Sequence, residues 1–436
     1  MNFRNFLNRL GESGKLTRIR KEVSTEYEMA GAIDALGEKP VIFERVKETE
    51  IPVVAGMLSS KDLISEALGI KRNELLHKLA HALENPIPPL TASQGECQEI
   101  IEQDVDLTKL PIMRYTERDG GKYVTSAVAI VRDPESGARN MCFHRLMLLD
   151  RNHFVARIVE NRGTDTALKK AGGELDIAFC IGNSTAVLLS ASTTLPMGID
   201  ELGMANALER TELVKCRTVD LEVPKDCEIV IEGRITKQKA EEGPFLDTTG
   251  TIDRIRQQPV VEIKRITHRK KPIYQTLLPG RNEHRFLMGM PKEPTIFNEV
   301  NKIAECKDVY ITPGGCSWLH AVVQIKKKKP EDGKKAITAA FEGHKSLKHC
   351  VIVDDDIDIY NPHDVEWAIA TRFQADKNTI ILPNQPGSSL DPSGDLTEGK
   401  KATTCKMGLD ATIPFGKTDK SFTKEQYRKV DLNKLM

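Results

Sequence analysis

The apolar positions in the first hundred residues predict a domain that mixes helix with strand. Within residues 61–84, leucine and isoleucine recur at largely helical spacing, and prolines at 86, 88 and 89 end the pattern. Upstream, the apolar runs 40–43 and 52–56 have the length of short strands. The pattern therefore predicts a helix over 61–84 and an N-terminal α/β domain over residues 1–105.

The middle of the chain is dominated by apolar segments of strand length. Segments 123–132, 139–149 and 154–159 are separated by stretches rich in turn-forming residues, which is the pattern of a β-meander. Further strands are predicted at 176–182, 185–192, 228–235, 259–266 and 272–278, with helices at 164–171 and 200–209. We therefore expect residues 106–300 to form a β-barrel or sandwich with inserted helices.

Beyond residue 300, predicted strands alternate with predicted helices. The strands are the apolar runs 309–311, 321–323 and 349–353, and the helices are 333–343 and 364–374. Such alternation is typical of a sheet that contains parallel strands. The pattern therefore predicts a C-terminal α/β domain over residues 301–436.

Composition and charge exclude several classes of partner. The 436-residue chain has 63 Lys and Arg against 63 Asp and Glu, so nothing global attracts nucleic acid or an anionic membrane. The N-terminus shows neither a signal peptide nor a run long enough to span a bilayer, and we expect the protein in the cytoplasm. Its nine cysteines form no Cys-x-x-Cys pair, which predicts free thiols rather than disulfides or a zinc ribbon.

Several common catalytic motifs are absent from the sequence. There is no glycine-rich dinucleotide or Walker motif, no Gly-x-Ser-x-Gly and no His-Glu-x-x-His. His77 and His81 lie four residues apart on a predicted helix, but no carboxylate pattern accompanies them. A pair of surface histidines is therefore favoured over a metal site.

The segment 241–250, Glu-Glu-Gly-Pro-Phe-Leu-Asp-Thr-Thr-Gly, is more unusual. Glu242 and Asp247 are joined through Gly-Pro, so the backbone turns between them and their carboxylates can converge on one site. Paired carboxylates in unlike surroundings can divide the roles of acid and base. A solvated acidic turn is the other interpretation, and the residues alone leave both open.

A series of motifs in fixed order resembles a known family. The motifs are Glu-Leu-Val-Lys-Cys at 212–216, Asp-Leu-Glu-Val-Pro at 220–224, Glu-Ile-Val-Ile-Glu-Gly at 228–233, Glu-Gly-Pro-Phe at 242–245, Val-Asp-Asp-Asp-Ile-Asp at 353–358 and Trp-Ala-Ile-Ala-Thr-Arg at 367–372. Over most of its length the chain thereby resembles the UbiD family of decarboxylases. The resemblance implies a central split β-barrel that binds prenylated FMN through its phosphate, a divalent metal and a potassium ion (K⁺), with an α/β domain on either side.

The resemblance assigns catalysis to Arg145, Glu242 and Asp247. Loss of CO₂ from an α,β-unsaturated acid leaves a carbanion that no side chain stabilises adequately, so the cofactor acts as the electron sink. Asp247 is then the expected proton donor. Glu242 and Arg145 are expected to set its protonation and to orient the substrate carboxylate.

The same resemblance implies a cofactor and metal site. Asn140 and Glu201 correspond to metal ligands, and together with water and a cofactor phosphate they suit Mn²⁺ or Mg²⁺. The expected cofactor-binding residues are Asn140, Cys142, Phe143, Arg145, Arg162, Thr194, Leu195 and Lys348. On physical grounds alone, Lys348 is an ordinary surface lysine.

Asn140 and Arg145 pose a geometric difficulty. Residues five apart on a flat strand face opposite sides, so both reach one site only if the strand bulges, ends or twists between them. The sequence therefore predicts an irregularity near Cys142 or Phe143.

Two departures from the family pattern indicate a reshaped pocket. Arg162 stands where most members have a metal-binding histidine, and a guanidinium can hold a phosphate but cannot ligate a metal. Asp247 stands where most members have glutamate, which is one methylene longer. In these respects the chain most resembles archaeal members that convert trans-anhydromevalonate 5-phosphate to isopentenyl phosphate. A phosphorylated substrate would also give Arg157, Arg162 or Arg281 a role.

Other functions stay open at this point. An aromatic or hydroxyarylic acid decarboxylase of the same family is mildly disfavoured by an aromatic content of 5%. A flavin reductase would oxidise NAD(P)H. A catalytically silent binding protein is disfavoured because Asn140, Arg145, Glu201, Glu242 and Asp247 are present together. The resemblance further implies that a flavin prenyltransferase supplies the cofactor. It also implies a homo-oligomer, a dimer or larger, formed through the C-terminal domain.

Overall fold

The computed structural model describes residues 1–196, 198–397, 402–417 and 420–425. Parts of the predicted C-terminal domain, at 398–401, 418–419 and 426–436, lie outside the described residues. The chain forms two compact units: the first comprises Met1–Pro294, Pro313–Trp318 and Leu390–Pro392, and the second comprises Thr295–Thr312, Leu319–Ser389 and the residues from Ser393 onward. The first unit contains the predicted N-terminal domain and the predicted central domain up to Pro294, and the division into three domains stays a prediction.

The N-terminal part of the first unit mixes helices and strands, as the sequence predicts. Its helices are Phe3–Glu12, Glu28–Ala35, Lys61–Leu68 and Leu75–Glu84, and its strands are Thr17–Ile19, Val41–Phe43, Val53–Ala55, Leu90–Thr91 and Ile100–Ile101. The single helix predicted over 61–84 is wrong. Gly69 adopts a left-handed conformation, φ 69°, that ends the first helix, and a 3₁₀ turn at Arg72–Glu74 precedes the second.

The first unit is built around a nine-stranded antiparallel sheet. Its strands are paired in the order Tyr123–Val124, Leu146–Leu148, His153–Ala156, Arg256–His268, Ile229–Glu242, Leu175–Ile181, Val128–Arg132 and Arg139–Phe143, with Ile100–Ile101 added beside Arg256–His268. The two longest strands form a hairpin in the middle of the sheet. This strand-rich centre between mixed α/β parts confirms the predicted fold class.

Both faces of this sheet are buried. Along Leu175–Ile181, Phe179 packs in one apolar cluster and Cys180 in another, because successive side chains of a strand point to opposite faces. The cluster around Phe179 also contains buried side chains of Glu28–Ala35 and Val41–Phe43. The N-terminal part therefore shares a core with the sheet, which explains why the two belong to one compact unit.

The apolar run predicted as a strand at 185–192 is a helix, Thr185–Ser192. Ser184 caps it, since the Ser184 hydroxyl accepts a hydrogen bond from the N–H of Val187. The helix is buried almost all round, so its sequence lacks the polar face by which periodicity reveals a helix. The predicted strand 272–278 is reduced to Tyr274–Gln275, which pairs with Val53–Ala55. The other helices of this unit are Gly163–Lys170, Glu201–Leu208 and Asn282–Gly289.

The second unit is an α/β layer, as predicted. Its five-stranded sheet has the order Glu305–Ile311, His320–Lys326, His349–Asp354, Thr403–Asp410 and Thr379–Pro386. The three inner strands are parallel, which confirms the predicted parallel component. Its helices are Asp332–Gly343, Pro362–Arg372, Ala375–Asn378 and most of Glu293–Asn301. Among the described helices, none combines the length and the apolar character needed to cross a bilayer.

Candidate active site

The long central hairpin brings acids and an arginine together at its tip. Glu242 ends the first strand and is paired in register with Arg256, which begins the second. The connection between them contains a smaller hairpin in which Phe245 is paired with Asp253. The register of the two hairpins therefore fixes Glu242, Asp253 and Arg256 as neighbours.

Asp247 occupies the turn of the smaller hairpin. Its N–H donates to the carbonyl of Thr251 at 3.0 Å, and its carbonyl accepts from the N–H of Gly250 at 2.9 Å. Gly250 has a φ of 77°, a left-handed conformation that glycine adopts without steric cost. Aspartate is favoured at the first position of such a turn. This turn follows Asp247; between Glu242 and Asp247, where the sequence predicts a turn, the long strand ends, Gly243 has a φ of 102° and a new short strand begins at Phe245.

A second glycine fixes the position of this segment. The N–H of Gly120 donates to the carbonyl of Pro244 at 2.8 Å. A Cβ at position 120 would overlap the carbonyl oxygen of Gly243, so only glycine fits there. The neighbouring Asp119 accepts a hydrogen bond from the N–H of Leu246. The acid-bearing segment is thus held by backbone contacts outside the hairpin itself.

Arg145 lies just beyond the strand that carries Asn140. The register of Arg139–Phe143 with Val128–Arg132 is unbroken through Phe143, where the strand ends, and the next strand begins at Leu146. The predicted irregularity is therefore a strand end, one of the three forms expected, and the paired residues contain no bulge. Because Arg145 is in the link between two strands, its direction is not dictated by the pleat of either.

The guanidinium of Arg145 binds three carboxylates. Nε and Nη2 donate to the two carboxylate oxygens of Glu242 at 2.8 and 2.9 Å, and Nη1 donates to Oδ2 of Asp247 at 3.0 Å. Nη2 also donates to Oδ2 of Asp253 at 2.9 Å. Burial disfavours the charged guanidinium, but its bonds to Glu242 and the charges of all three acids raise the pKa of Arg145. The structure thus brings together the three residues predicted as catalytic.

Asp253 and Arg256 extend this network beyond the predicted residues. Nη1 of Arg256 donates to Oδ2 of Asp253 at 2.6 Å, and Nη2 donates to Oδ1 at 2.8 Å. Burial opposes ionisation of Asp253, but the hydrogen bond from Arg256 and the charge of Arg145 hold its pKa below the usual range. Asp253 is therefore an ionised carboxylate shared by two guanidinium groups.

Two aromatic rings cover one side of the Arg145 network. The Phe245 ring centroid lies 4.8 Å from the guanidinium carbon of Arg145 and 4.4 Å from the Tyr123 ring centroid. The Tyr123 hydroxyl accepts a hydrogen bond from the N–H of Gly243 at 3.0 Å. Burial, with the charge of Glu242, raises the pKa of Tyr123, so its hydroxyl stays protonated at neutral pH.

A histidine also faces the acids. Nδ1 of His284, on the helix Asn282–Gly289, accepts a hydrogen bond from the N–H of Gly280 at 3.1 Å, which leaves the proton of the neutral ring on Nε2. Burial lowers the pKa of His284; the charge of Asp247 opposes this shift and the charge of Arg145 reinforces it. A neutral imidazole therefore lies near the Asp247 side of the network.

The predicted metal ligands lie around the strand Arg139–Phe143. Oε2 of Glu201 accepts a hydrogen bond from the N–H of Met141 at 2.8 Å, and burial raises the pKa of Glu201 to about 8. Nδ2 of Asn140 lies 3.7 Å from Sγ of Cys142, two residues along the same strand face. Phe143 points to the other face, where it packs against an apolar cluster that includes Leu195.

The donor set at this strand fits a divalent metal of the hard class. Asn140 and Glu201 offer amide and carboxylate oxygens, which Mg²⁺ and Mn²⁺ prefer. A Cβ at position 163 would overlap Oδ1 of Asn140, so only glycine at this position leaves room for that oxygen. Among the described residues, no group of three or more His, Cys, Asp or Glu side chains is arranged to hold a metal. A metal held by Asn140 and Glu201 would therefore need further ligands from outside these side chains, and the metal site stays a prediction.

Two cations and a hydroxyl lie together near the predicted flavin segment. Nζ of Lys292 donates to the hydroxyl of Thr194 at 2.7 Å. Burial, reinforced by the nearby charge of Arg162, lowers the pKa of Lys292 to about 8. Arg162 itself precedes the helix Gly163–Lys170, whose N-terminal N–H groups favour an anion. Two cations that close together suit a phosphate group.

Lys348 is the predicted cofactor ligand that the structure does not connect with the others. It lies in the second unit, where its Nζ donates to the hydroxyl of Ser393. Arg162, Thr194 and Lys292 belong to the first unit. The role of Lys348 stays a prediction.

Sequence reasoning missed Asp253, Arg256, His284 and Lys292. Each of them reaches the site through strand pairing or helix placement, which local patterns do not reveal. The register of the central hairpin is the one available signal, because a strand that ends at Glu242 must face the residue that begins its partner. His284 and Lys292 gave no such signal.

Three family models match most of the chain. They are the N-terminal, Rift-related and C-terminal domains of 3-octaprenyl-4-hydroxybenzoate carboxy-lyase, UbiD, at residues 7–83, 89–282 and 285–411 respectively.

Similar proteins and solved structures cover nearly the full length. The anhydromevalonate phosphate decarboxylase of Methanothermobacter thermautotrophicus is 42% identical over 424 residues, which are 96% of this chain and 98% of that protein. That of Methanosarcina mazei is 42% identical over 94% of this chain and 96% of its own. The UbiD-class enzyme HmfF from Pelotomaculum thermopropionicum, in complex with FMN, is 38% identical with a TM-score of 0.93 and full coverage of both chains. The apo 3,4-dihydroxybenzoic acid decarboxylase from Enterobacter cloacae is 26% identical, with a TM-score of 0.90 over 100% of this chain and 98% of that one.

Proposed function

Because the chain belongs to the UbiD family of carboxy-lyases, we propose that it decarboxylates trans-anhydromevalonate 5-phosphate and releases CO₂ and isopentenyl phosphate. The observation that carries the proposal is the contact of Arg145 with Glu242 and Asp247 in a chain 42% identical to anhydromevalonate phosphate decarboxylases. The reaction is non-oxidative: the bond to the carboxylate carbon breaks, and one proton is added at the carbon that carried it.

The reaction requires a cofactor, for which we propose prenylated FMN. When bound, it supplies the electron sink for the carbanion that CO₂ leaves behind. Arg162 and Lys292 would hold its phosphate, and Asn140 with Glu201 would hold a Mn²⁺ or Mg²⁺ ion beside that phosphate. A K⁺ ion at the same site and a flavin prenyltransferase as the source of the cofactor are parts of this proposal. Solved relatives bind FMN or prenylated FMN, which supports it.

Arg145 orients the substrate. A guanidinium has five N–H donors, and four of those of Arg145 are directed to the three acids. The remaining N–H, on Nη1, is available to the substrate carboxylate. Glu242 holds Nε and Nη2 in a two-bond fork, which fixes the plane of the guanidinium. The substrate carboxylate is therefore bound in one orientation before CO₂ leaves.

Asp247 delivers the proton. Its side chain is 14% exposed, whereas that of Glu242 is 0% exposed, so Asp247 is the acid that a substrate carbon can approach. In its protonated form, Asp247 gives the proton to the carbon that carried the carboxylate. The shorter aspartate leaves more room beside the reacting carbon than the usual glutamate, which suits the branched alkenoic acid.

A phosphorylated substrate also needs a cation near Asp247, and we assign this role to Arg285. Arg157 and Arg281 are already ion-paired, with Glu160 and Asp34 respectively. Arg285 follows His284 on the helix, and its Nε donates to the carbonyl of Thr248, next to Asp247. Among the described residues, no carboxylate lies within ion-pair distance of its guanidinium.

Replacing Arg285 with glutamine is expected to raise KM for the phosphorylated acid by about tenfold or more, because a charge-assisted bond to the phosphate is lost. The unphosphorylated acid should react with an unchanged kcat/KM. Arg281→Gln, which removes a paired arginine four residues away, is the matched control and should alter neither value. An equal loss on both substrates would show that Arg285 only supports the turn through Thr248.

The proposed function is tested by producing the protein together with a flavin prenyltransferase. The purified protein should show flavin-like absorption and should release CO₂ and isopentenyl phosphate from anhydromevalonate phosphate. Cinnamate- and hydroxybenzoate-type acids are tested in parallel, together with oxidation of NAD(P)H. A preference for an aromatic acid would instead indicate an aromatic or hydroxyarylic acid decarboxylase of the same family. Rapid oxidation of NAD(P)H, or no flavin absorption and no CO₂, would show that the proposal is wrong.

We further propose that the protein forms a homo-oligomer through its second unit. Thr379–Pro386 is the edge strand of that sheet, and its Ile381 is 62% exposed beside Met407, which is 37% exposed. Exposed apolar side chains on an edge strand are typical of a surface covered by a partner. An evolved dimeric form of HmfF is among the similar solved structures.

A further inference from the structure

Asp253 belongs to the Arg145 network but to none of the motifs that carry the family resemblance. We propose that Asp253, held by Arg256, is a positioning residue that fixes Arg145 and keeps a proton on the Glu242 and Asp247 pair in the working enzyme. This inference rests on the proposed function, because it concerns the proton that the reaction consumes.

The geometry gives Asp253 two tasks. Its Oδ2 accepts from Nη2 of Arg145, the nitrogen that also donates to Glu242. Both of its oxygens accept from Arg256, and Oδ1 accepts in addition from the N–H of Arg254. The carboxylate therefore cannot turn away from Arg145 without losing bonds to Arg256. Arg145 is held from one side by Glu242 and from the other by Asp253.

The charges of the network point to a retained proton. Glu242, Asp247 and Asp253 bring three negative charges when ionised, and Arg145 and Arg256 bring two positive ones. One negative charge is in excess in a site that is largely buried, so one bound proton makes the network neutral. Arg256 is committed to Asp253, which leaves Glu242 and Asp247 as the places for that proton. Neutralising Asp253 would make the network neutral without any proton.

The surrounding ionisable groups do not alter this balance. Tyr123 stays protonated and His284 stays neutral at neutral pH, because burial disfavours the charged form of each. Glu160 feels the charge of Arg256 but is ion-paired with Arg157. The side chain of Arg254 is exposed to solvent, which screens its charge. Arg285, whose Nε donates to the carbonyl of Thr248 beside Asp247, is the cation assigned to the substrate phosphate, and the negative charge of that phosphate offsets it in the working enzyme. The excess negative charge therefore stays with the three acids bound to Arg145.

The test is the pH dependence of kcat/KM for the phosphorylated acid, measured on enzyme loaded with prenylated FMN. In Asp253→Asn, the alkaline limb is expected about one pH unit lower, so that activity above the limb falls about tenfold. At the low-pH plateau the Glu242 and Asp247 pair holds its proton in both proteins, so activity there falls only because Arg145 is held less firmly, and the position of the limb is the test. The flavin absorption should be unchanged, which shows that the cofactor is still bound.

Arg256→Gln provides the decisive comparison, because it removes the opposite charge from the same ion pair. Its alkaline limb is expected to move to higher pH, and Arg256→Lys should return it toward the wild-type position. A purely structural role would leave the alkaline limb unmoved in Asp253→Asn and Arg256→Gln, or would move it in the same direction in both variants, and either result would overturn the proposal. If Asp253→Asn loses its flavin, the two Arg256 variants decide the question. Failure of the wild-type protein to release CO₂ would instead count against the proposed function.

Discussion

Asp247→Asn is expected to lower the rate of CO₂ release by roughly 10²- to 10⁴-fold, because the general acid is lost. Asparagine has nearly the same shape, and its side-chain oxygen can still accept the 2.6 Å bond from the N–H of Thr248. The turn and the cofactor site should therefore be preserved. The measurement compares product formation with flavin absorption in the same preparation, so that loss of chemistry is separated from loss of cofactor.

Glu241→Gln is the matched control for this variant. Glu241 is exposed and adjoins Glu242, so the substitution removes one carboxylate from the same hairpin without touching Arg145. Its rate should stay close to that of the wild type. A near-normal rate in Asp247→Asn would show that another group supplies the proton, and His284 would be the next candidate because it faces the same acid.

Arg372→Ala is expected to destabilise the second unit by about 3 kcal/mol, because it leaves buried carboxylate charge without a partner. The Arg372 side chain is 0% exposed. It binds Asp354 through Nη1 at 2.9 Å and Asp356 through Nη2 at 2.6 Å, and it also donates to the carbonyl of Phe422. Asp356 is partly exposed to solvent, which places the expected loss at the lower end of the range for buried pairs.

Unfolding by urea measures this loss, with tryptophan fluorescence as the probe. Trp367 lies 5.1 Å from the guanidinium of Arg372, and therefore reports on the same unit. Lys377→Ala, at an exposed position on the short helix Ala375–Asn378, is the control and should leave the midpoint unchanged. An unchanged midpoint in Arg372→Ala would mean that the aspartate run at 354–356 and Arg372 serve a purpose other than stability.

The fold could be predicted where the order of apolar and polar side chains shows which kind of element, helix or strand, they form. The strand-rich centre was recognisable because short apolar segments are separated by turn-forming residues. The prediction failed for Thr185–Ser192, which is buried on nearly all sides and so carries no helical periodicity. It also failed at Gly69, where a single left-handed residue divides two helices whose apolar faces continue the same pattern.

Only those site residues that lie in family motifs could be predicted from the sequence. Arg145, Glu242 and Asp247 lie in segments that resemble a family, and the structure places them in contact although 97 residues separate Arg145 from Glu242. Asp253 is 108 residues from Arg145 and has no motif of its own. Physical reasoning from composition or spacing cannot supply such contacts, because they depend on which strands pair and in what register.

The three acids around Arg145 come from one continuous segment, 242–253, which begins and ends at paired strand positions. Arg145 and the residues assigned to the cofactor come from other parts of the chain. The part of the site that we propose delivers the proton is therefore one continuous segment, which recombination or design could exchange between relatives. A graft would have to retain the backbone path at residues 243–244, because Gly120 packs directly against the carbonyl of Gly243 and donates to the carbonyl of Pro244. Within that limit, aspartate and glutamate could be interchanged at the proposed donor position without changing the residues assigned to the cofactor.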